Sequence, residues 1–265
     1  MVERGIISLT EVSSVIAEHQ EKVVAVESSP LAVGELQAKY PGMKILETDY
    51  RNLVRGTNPL RWPTGADEKY CKARIINLDL DESLAAITTG GQIEFPLLSC
   101  VQKFAQLHAN ARMEWVLCLT LHAQINWTQP VSTGVQQFLN ENFDVEPDFE
   151  AECRALIGAE LCDLIKENRD IDFSTLREKE QQAIMMAFVP KKVSHLVVNQ
   201  GWLVTTVRNL RYGGPAENGV APMVTWVMRF SWDTRASRRP RHVYRESLKE
   251  IFNGAGTVAE DGTIS

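Results

Sequence analysis

A chain of 265 residues, 44% hydrophobic and 23% charged, with no low-complexity run, is long enough to bury a substantial core and is not a disordered chain. Its formal net charge of −6 excludes a global positive field for nucleic acid and leaves only local basic patches for that role. No apolar run approaches the roughly 20 residues of a membrane span, and the N-terminus lacks the sections of a signal peptide, so a cytoplasmic protein with no membrane partner is expected.

The five cysteines, Cys71, Cys100, Cys118, Cys153 and Cys162, have neither CxxC nor metal-finger spacing and are odd in number. They read as reduced thiols, and no metal site is expected.

Ser8-Leu9-Thr10-Glu11 has the form of a capping box, and Leu9, Val12, Val15 and Ile16 recur at helical spacing behind it, which predicts a helix over 9–20. Residues 22–53 then organise the chain. Val23 to Val26 is a short apolar run ending in Glu27; Ser28-Ser29-Pro30 opens a helix carried by Leu31, Val33, Leu36 and Tyr40; Pro41-Gly42 stops it, and Met43 to Leu46 leads to Asp49. This is a strand, helix, strand unit with a carboxylate after each strand. In a parallel sheet, ligands sit outside the carboxyl ends of the strands, so such carboxylates are placed to accept from a ribose diol and a base amine.

Residues 51–72, rich in Pro, Gly, Asn and Arg, read either as a functional loop carrying Trp62 or as a surface excursion. ARIINLDL follows as a strand with Asp79 and Asp81 at its end. Gly90-Gly91 ends a turn. The pattern of Leu97, Leu98, Val101, Phe104, Ala105 and His108 predicts a helix over 95–111, MEWVLCLTL a strong strand, and His122 closes it. From 133 to 198 the chain reads as three helices, the last ended by Pro190, forming an inserted helical block. WLVTTVRNLR and MVTWVMRF read as an antiparallel hairpin with a long loop. Arg229, Arg235, Arg238, Arg239, Arg241 and Arg245 lie among Trp226, Trp232 and Tyr244 near the end; the alternatives are a solvated helix and a surface for phosphates and bases.

Glu27 and Asp49, each after a strand, resemble two residues of the class I S-adenosylmethionine-dependent methyltransferases, whose second strand ends in an acidic residue that holds the cofactor ribose. The resemblance implies an α/β fold with a Rossmann-like, mostly parallel sheet, a C-terminal antiparallel hairpin and a helical insertion. It divides the chain into a methyltransferase-like core (1–132), a helical insertion (133–198), a hairpin completing the sheet (199–235) and a basic, then flexible tail (236–265). It implies S-adenosylmethionine as cofactor, bound by Glu27, Ser28, Asp49 and Tyr50, with Asp79 and Asp81 at the transfer site and a nucleic acid or protein as acceptor.

The chain departs from the family in two ways. It has no glycine-rich loop after a first strand, and Leu80 stands where the fourth-strand motif has proline. A catalytically inactive scaffold of the same fold is therefore the alternative, as is a nucleic-acid-binding accessory subunit using Arg235, Arg238, Arg239 and Arg241. The sheet edge left by the absent strand would accept a protein partner. A nicotinamide-dependent dehydrogenase, which also holds a ribose with an acidic residue, is a further reading.

Overall fold

The computed structural model describes residues 24–27, 29–47, 74–79, 84–89, 92–122, 127–167, 171–212, 223–236, 238–248 and 255–257. The expected helix over 9–20, the loop over 51–72 with Trp62, and the end of the tail lie outside these residues. The chain is a mixed α/β protein that divides into two compact units, whose described residues fall within 1–73 and 74–258 respectively.

The first unit contains β1 (Val24–Glu27), α1 (Pro30–Lys39) and β2 (Lys44–Glu47), and its two strands pair in parallel. The Ser29 hydroxyl accepts from the Ala32 N–H at 3.4 Å, and Pro30 stands in the first turn, where its missing N–H has no helical partner to lose. Val33, Tyr40 and Met43 are its buried hydrophobic side chains among the described residues.

The second unit is built on a five-stranded sheet. Its strands are β3 (Ile75–Asp79), β6 (Trp115–His122), β7 (Trp202–Tyr212), β8 (Met223–Trp232) and β9 (Ala255–Thr257), in the order β3-β6-β8-β7-β9. β3 runs parallel to β6, β8 runs antiparallel to both β6 and β7, and β9 runs parallel to β7, so this sheet is mixed. The hairpin partners β7 and β8 are sequence neighbours, yet β8 rather than β7 lies against β6. A separate antiparallel pair is formed by β4 (Ile87–Thr89) and β5 (Gln92–Glu94).

Alternation on β6 fixes which face is packed. Trp115, Leu117, Leu119 and Leu121 are at 1% exposure or less, while Val116 and Cys118 between them are half-buried. Ile75, on the half-covered side of β3, is 69% exposed. Among the described residues β3 is one end of the sheet order.

The packed face meets helices. α2 (Pro96–Ala111) delivers Leu97, Leu98, Val101, Phe104 and Ala105 to the core. Trp115 is stacked between His108, at 4.8 Å, and Phe230, at 3.8 Å; Trp202 meets it edge-on at 6.4 Å and donates its indole N–H to the Ala105 carbonyl at 2.9 Å. One aromatic cluster thus joins α2, β6, β7 and β8.

The helical block comprises α3 (Gln129–Val145), α4 (Pro147–Ile157), α5 (Ala159–Glu167) and α6 (Glu178–Val198), with a 3-10 turn at Phe173–Thr175. The second of the three expected helices, marked in the sequence by Phe149, Cys153, Leu156, Ile157, Leu161 and Leu164, is two helices, because Gly158 at φ 91 takes a conformation that residues with a Cβ avoid. Pro190 was expected to end the third helix, but α6 continues through it to Val198. Every residue from Gln182 to Lys191 is buried, so packing around the helix outweighs the proline penalty of about 3 kcal/mol. Gly201, at φ 98, turns the chain from α6 into β7, with the Trp232 ring 2.6 Å from where a Cβ would stand. α7 (Pro240–Leu248) follows the sheet and seats Val243 and Tyr244 against Val198, Ala236 and Leu203.

Candidate functional site

Glu27 is the last residue of β1, as the sequence leads one to expect, and its register partner is Glu47, the last residue of β2. Sequence reading chose Asp49 for that strand and passed over Glu47, although it directly follows the apolar run. Glu27 is placed here by its backbone, and Ser28, Asp49 and Tyr50 lie outside the described residues. What the backbone establishes is that two acidic residues end adjacent parallel strands at the same level. Like charges at neighbouring register positions of two strands are unfavourable by themselves.

In the second unit, Asp79 ends β3 in register with Thr120, and His122 closes β6 two residues later. The backbone also places Asp79; Asp81 lies outside the described residues. Thr120 shares a hydrogen bond with Thr225 of β8, Oγ1 to Oγ1 at 2.8 Å in a buried setting, which ties the carboxyl end of β6 to the reversed strand. Among the described residues no group of three metal-ligating side chains comes together, and no helix is long and apolar enough to cross a membrane.

The C-terminal arginines divide into two sets. Arg229 pairs with Glu114 at 2.7 Å, and Arg235 with Asp233 at 2.6 Å. The Arg229 guanidinium holds the Glu114 carboxyl below its usual range. Arg238, Arg239 and Arg241, at the entry to α7, are exposed and form no ion pair with another described residue.

Sequence reading missed the most deeply buried charge described here. Lys191 of α6 is fully buried and gives its ammonium to Glu146, at the junction of α3 and α4, at 2.8 Å. The same nitrogen lies 3.4 Å from the centre of the Tyr244 ring and 4.9 Å from that of Phe149. Tyr244 donates its hydroxyl to Asn142 Oδ1 at 2.7 Å, and Asn142 gives its amide to the Phe138 carbonyl at 2.7 Å. Burial lowers the Lys191 pKa to about 7 in spite of the adjacent carboxylate, and raises the Tyr244 hydroxyl and the Cys153 thiol above their ordinary ranges. Local sequence gives one weak signal for this network: Pro190-Lys191 interrupts an otherwise apolar helical run, so the lysine falls on the core side.

The network is enclosed and ties α7 to α3, α4 and α6. Its chemistry is that of a fastening, because it leaves no side for a reactant to approach. A comparison with protein-family models, with curated proteins and with solved structures finds no match for the chain.

Proposed function

We propose that the chain is a class I S-adenosylmethionine-dependent methyltransferase-like protein in which Glu27 holds the cofactor ribose. The observation that carries this reading is the position of Glu27 as the last residue of the first strand in a parallel strand, helix, strand unit. The family keeps its ribose-binding carboxylate at the end of its second strand, to which β1 would correspond. Glu47, in register with it, offers a second acceptor, so a diol would donate two charge-assisted hydrogen bonds. The antiparallel pair β7 and β8 that completes the second sheet agrees with the family's sheet ending.

In this reading Ser28, Asp49 and Tyr50 surround the ribose and the adenine. Asp79, the last residue of β3, and Asp81 would act on the acceptor. Bound S-adenosylmethionine supplies an electrophilic methyl group; the work of the protein is to align an acceptor with it, and alignment accounts for much of the rate in reactions of this kind. Asp79 would orient the acceptor or take its proton.

Calorimetric titration with S-adenosylmethionine, repeated with Glu27→Ala, tests the reading. Micromolar binding that vanishes in the variant is the expected result. A folded chain that binds nothing would overturn the cofactor assignment and leave a scaffold of the same fold.

A second reading is favoured by Arg238, Arg239 and Arg241, which are exposed where Arg229 and Arg235 are paired. Three such cations suit a phosphate backbone. Binding of a single-stranded oligonucleotide should then fall with salt at a log–log slope of about −2, near −0.7 per phosphate contacted. Replacing all three by glutamate should abolish it; salt-independent binding would exclude this surface.

A further inference from the structure

α7 is attached through a small patch of its own. Val243 and Tyr244 are its buried hydrophobic side chains among the described residues, and with Val198 and Ala236 they form a separate cluster edged by Leu203. Two polar contacts fasten the helix to the block beside it: the Tyr244 hydroxyl donates to Asn142, and Arg245 donates to the Val145 carbonyl at 3.1 Å. Arg241 and Arg245 are exposed. A helix of nine residues held in this way is the kind of element that opens locally before the rest of a protein unfolds.

What such an opening would uncover is a charge. Lys191 is fully buried beneath the Tyr244 ring, 3.4 Å from its centre. Among the described residues Glu146 is the hydrogen-bond partner of its ammonium, a group able to donate to more than one acceptor. The ring face returns part of the hydration that burial removes, but it does not accept a hydrogen bond as water does. Withdrawing α7 would put water in place of the ring and carry the Arg245 guanidinium away, while Glu146 stays beside the ammonium. Both changes favour the charged lysine, so opening takes up a proton from solvent and closing returns it.

The groups that face Lys191 are Glu146 between α3 and α4, Cys153 of α4, and Tyr244 and Arg245 of α7. Burial lowers the lysine pKa to about 7 although Glu146 supports the charge, and Arg245 adds to the lowering. Burial raises the Cys153 thiol and the Tyr244 hydroxyl, so both stay neutral where Lys191 titrates. His195, one turn along α6 and 5.7 Å from the Tyr244 ring, is lowered by burial and titrates on the acid side of that value. Lys192 lies instead over the Phe138 ring, with Glu141 supporting its charge.

We propose that α7 is a latch that opens on its own, and that its closure over the junction of α3, α4 and α6 is coupled to the loss of a proton from Lys191 to solvent. The device is independent of any cofactor at Glu27.

Hydrogen–deuterium exchange of the full chain, read by mass spectrometry over 240–248 and corrected for intrinsic exchange, tests this. One proton taken up on opening changes the equilibrium by up to about tenfold per pH unit, so protection of α7 should rise at least about tenfold between about pH 7 and about pH 9. Protection of α2 should stay high throughout. Lys191→Met combined with Glu146→Leu should remove the dependence. Tyr244→Phe keeps the ring and loses the bond to Asn142, so it should lower α7 protection by about two- to tenfold at every pH with the slope retained. That variant also carries the test if the double variant fails to fold, since a slope lost with the ring still in place would contradict the coupling. Protection of α7 that is flat with pH in the unaltered chain, that changes only together with α2, or that keeps its slope in a folded double variant would overturn the proposal.

Discussion

In the β1, α1, β2 unit the buried hydrophobic side chains among the described residues are Val33, Tyr40 and Met43, at 7%, 6% and 8% exposure, and each strand has four residues. In the sheet unit Trp115, Leu117, Leu119, Trp202, Trp226 and Phe230 are all at 1% or less, on strands of eight to eleven residues. The proposed cofactor contacts sit in the first unit, and the dense aromatic core sits in the other. A ligand that binds only the folded form adds to the stability of the unit that holds it.

The sharpest test of this contrast is a pair of core truncations. Trp202→Ala removes two aromatic contacts and a buried hydrogen bond, and should cost about 3–5 kcal/mol. Val33→Ala should cost about 1–2 kcal/mol. Urea unfolding followed by tryptophan fluorescence and circular dichroism measures both; equal losses would erase the distinction.

The Lys191 and Glu146 pair should rival Trp202 in effect. Lys191→Met strands a buried carboxylate and should destabilise by about 3–5 kcal/mol, and adding Glu146→Leu should recover most of that. The pH dependence follows from the pKa lowered to about 7. Between that value and the ordinary lysine range the unfolded chain holds a proton that the folded chain has released, so stability rises with pH. Burial of His195 lowers its pKa too and acts in the same direction at lower pH. Above about pH 8.5, the thiols of Cys153 and Cys162, raised by burial, act in the opposite sense. Thermal melts between these limits should show a rising midpoint that flattens in Lys191→Met; an unchanged slope would show that Lys191 does not titrate there.

Two helical glycines probe the contrast at smaller scale. Gly34 of α1 has nothing within 4 Å of an added Cβ, so Gly34→Ala should stabilise by up to about 1 kcal/mol through helix propensity alone. Gly134→Ala meets Ile93 and should destabilise by about 1 kcal/mol, the overpacking exceeding the propensity gain. Melting temperatures that move in the same direction would contradict this. The smallest effect belongs to Arg229→Ala. Its pair with Glu114 is more than half exposed on both sides, so the urea midpoint should not move.

The sequence made the strands and amphipathic helices legible where one period dominates. Trp115 to Leu121 is a nearly continuous apolar run, and the apolar positions of α2 repeat on one face, so both elements fall within two residues of their expected limits. The β4 and β5 pair was missed because strands of three residues carry too few positions for a period. Pro190 misled because its cost is local and the burial that outweighs it comes from residues distant in sequence. The same holds for Lys191, whose partners Glu146 and Tyr244 lie 45 and 53 residues away. For the candidate site, Glu27 and Asp79 could be assigned to strand ends from patterning, whereas Glu47 required the register of β1 and β2.

The place of β8 between β6 and β7 also sets an order of events during synthesis. β6 leaves the ribosome early, but its neighbour on that side is the strand whose Thr225 meets Thr120, 105 residues later. At about 5–20 residues per second, one edge of β6 waits roughly 5–20 s for its partner. β7 emerges first and has the wrong position to serve. The helices between 129 and 198 are made during that interval, and apolar side chains of α6 are available to cover β6 before the sheet can close. Slowing translation just ahead of β8 should therefore lengthen the exposure of a Trp- and Leu-rich edge and raise aggregation of the nascent chain, while a pause after residue 232 should leave the yield unchanged.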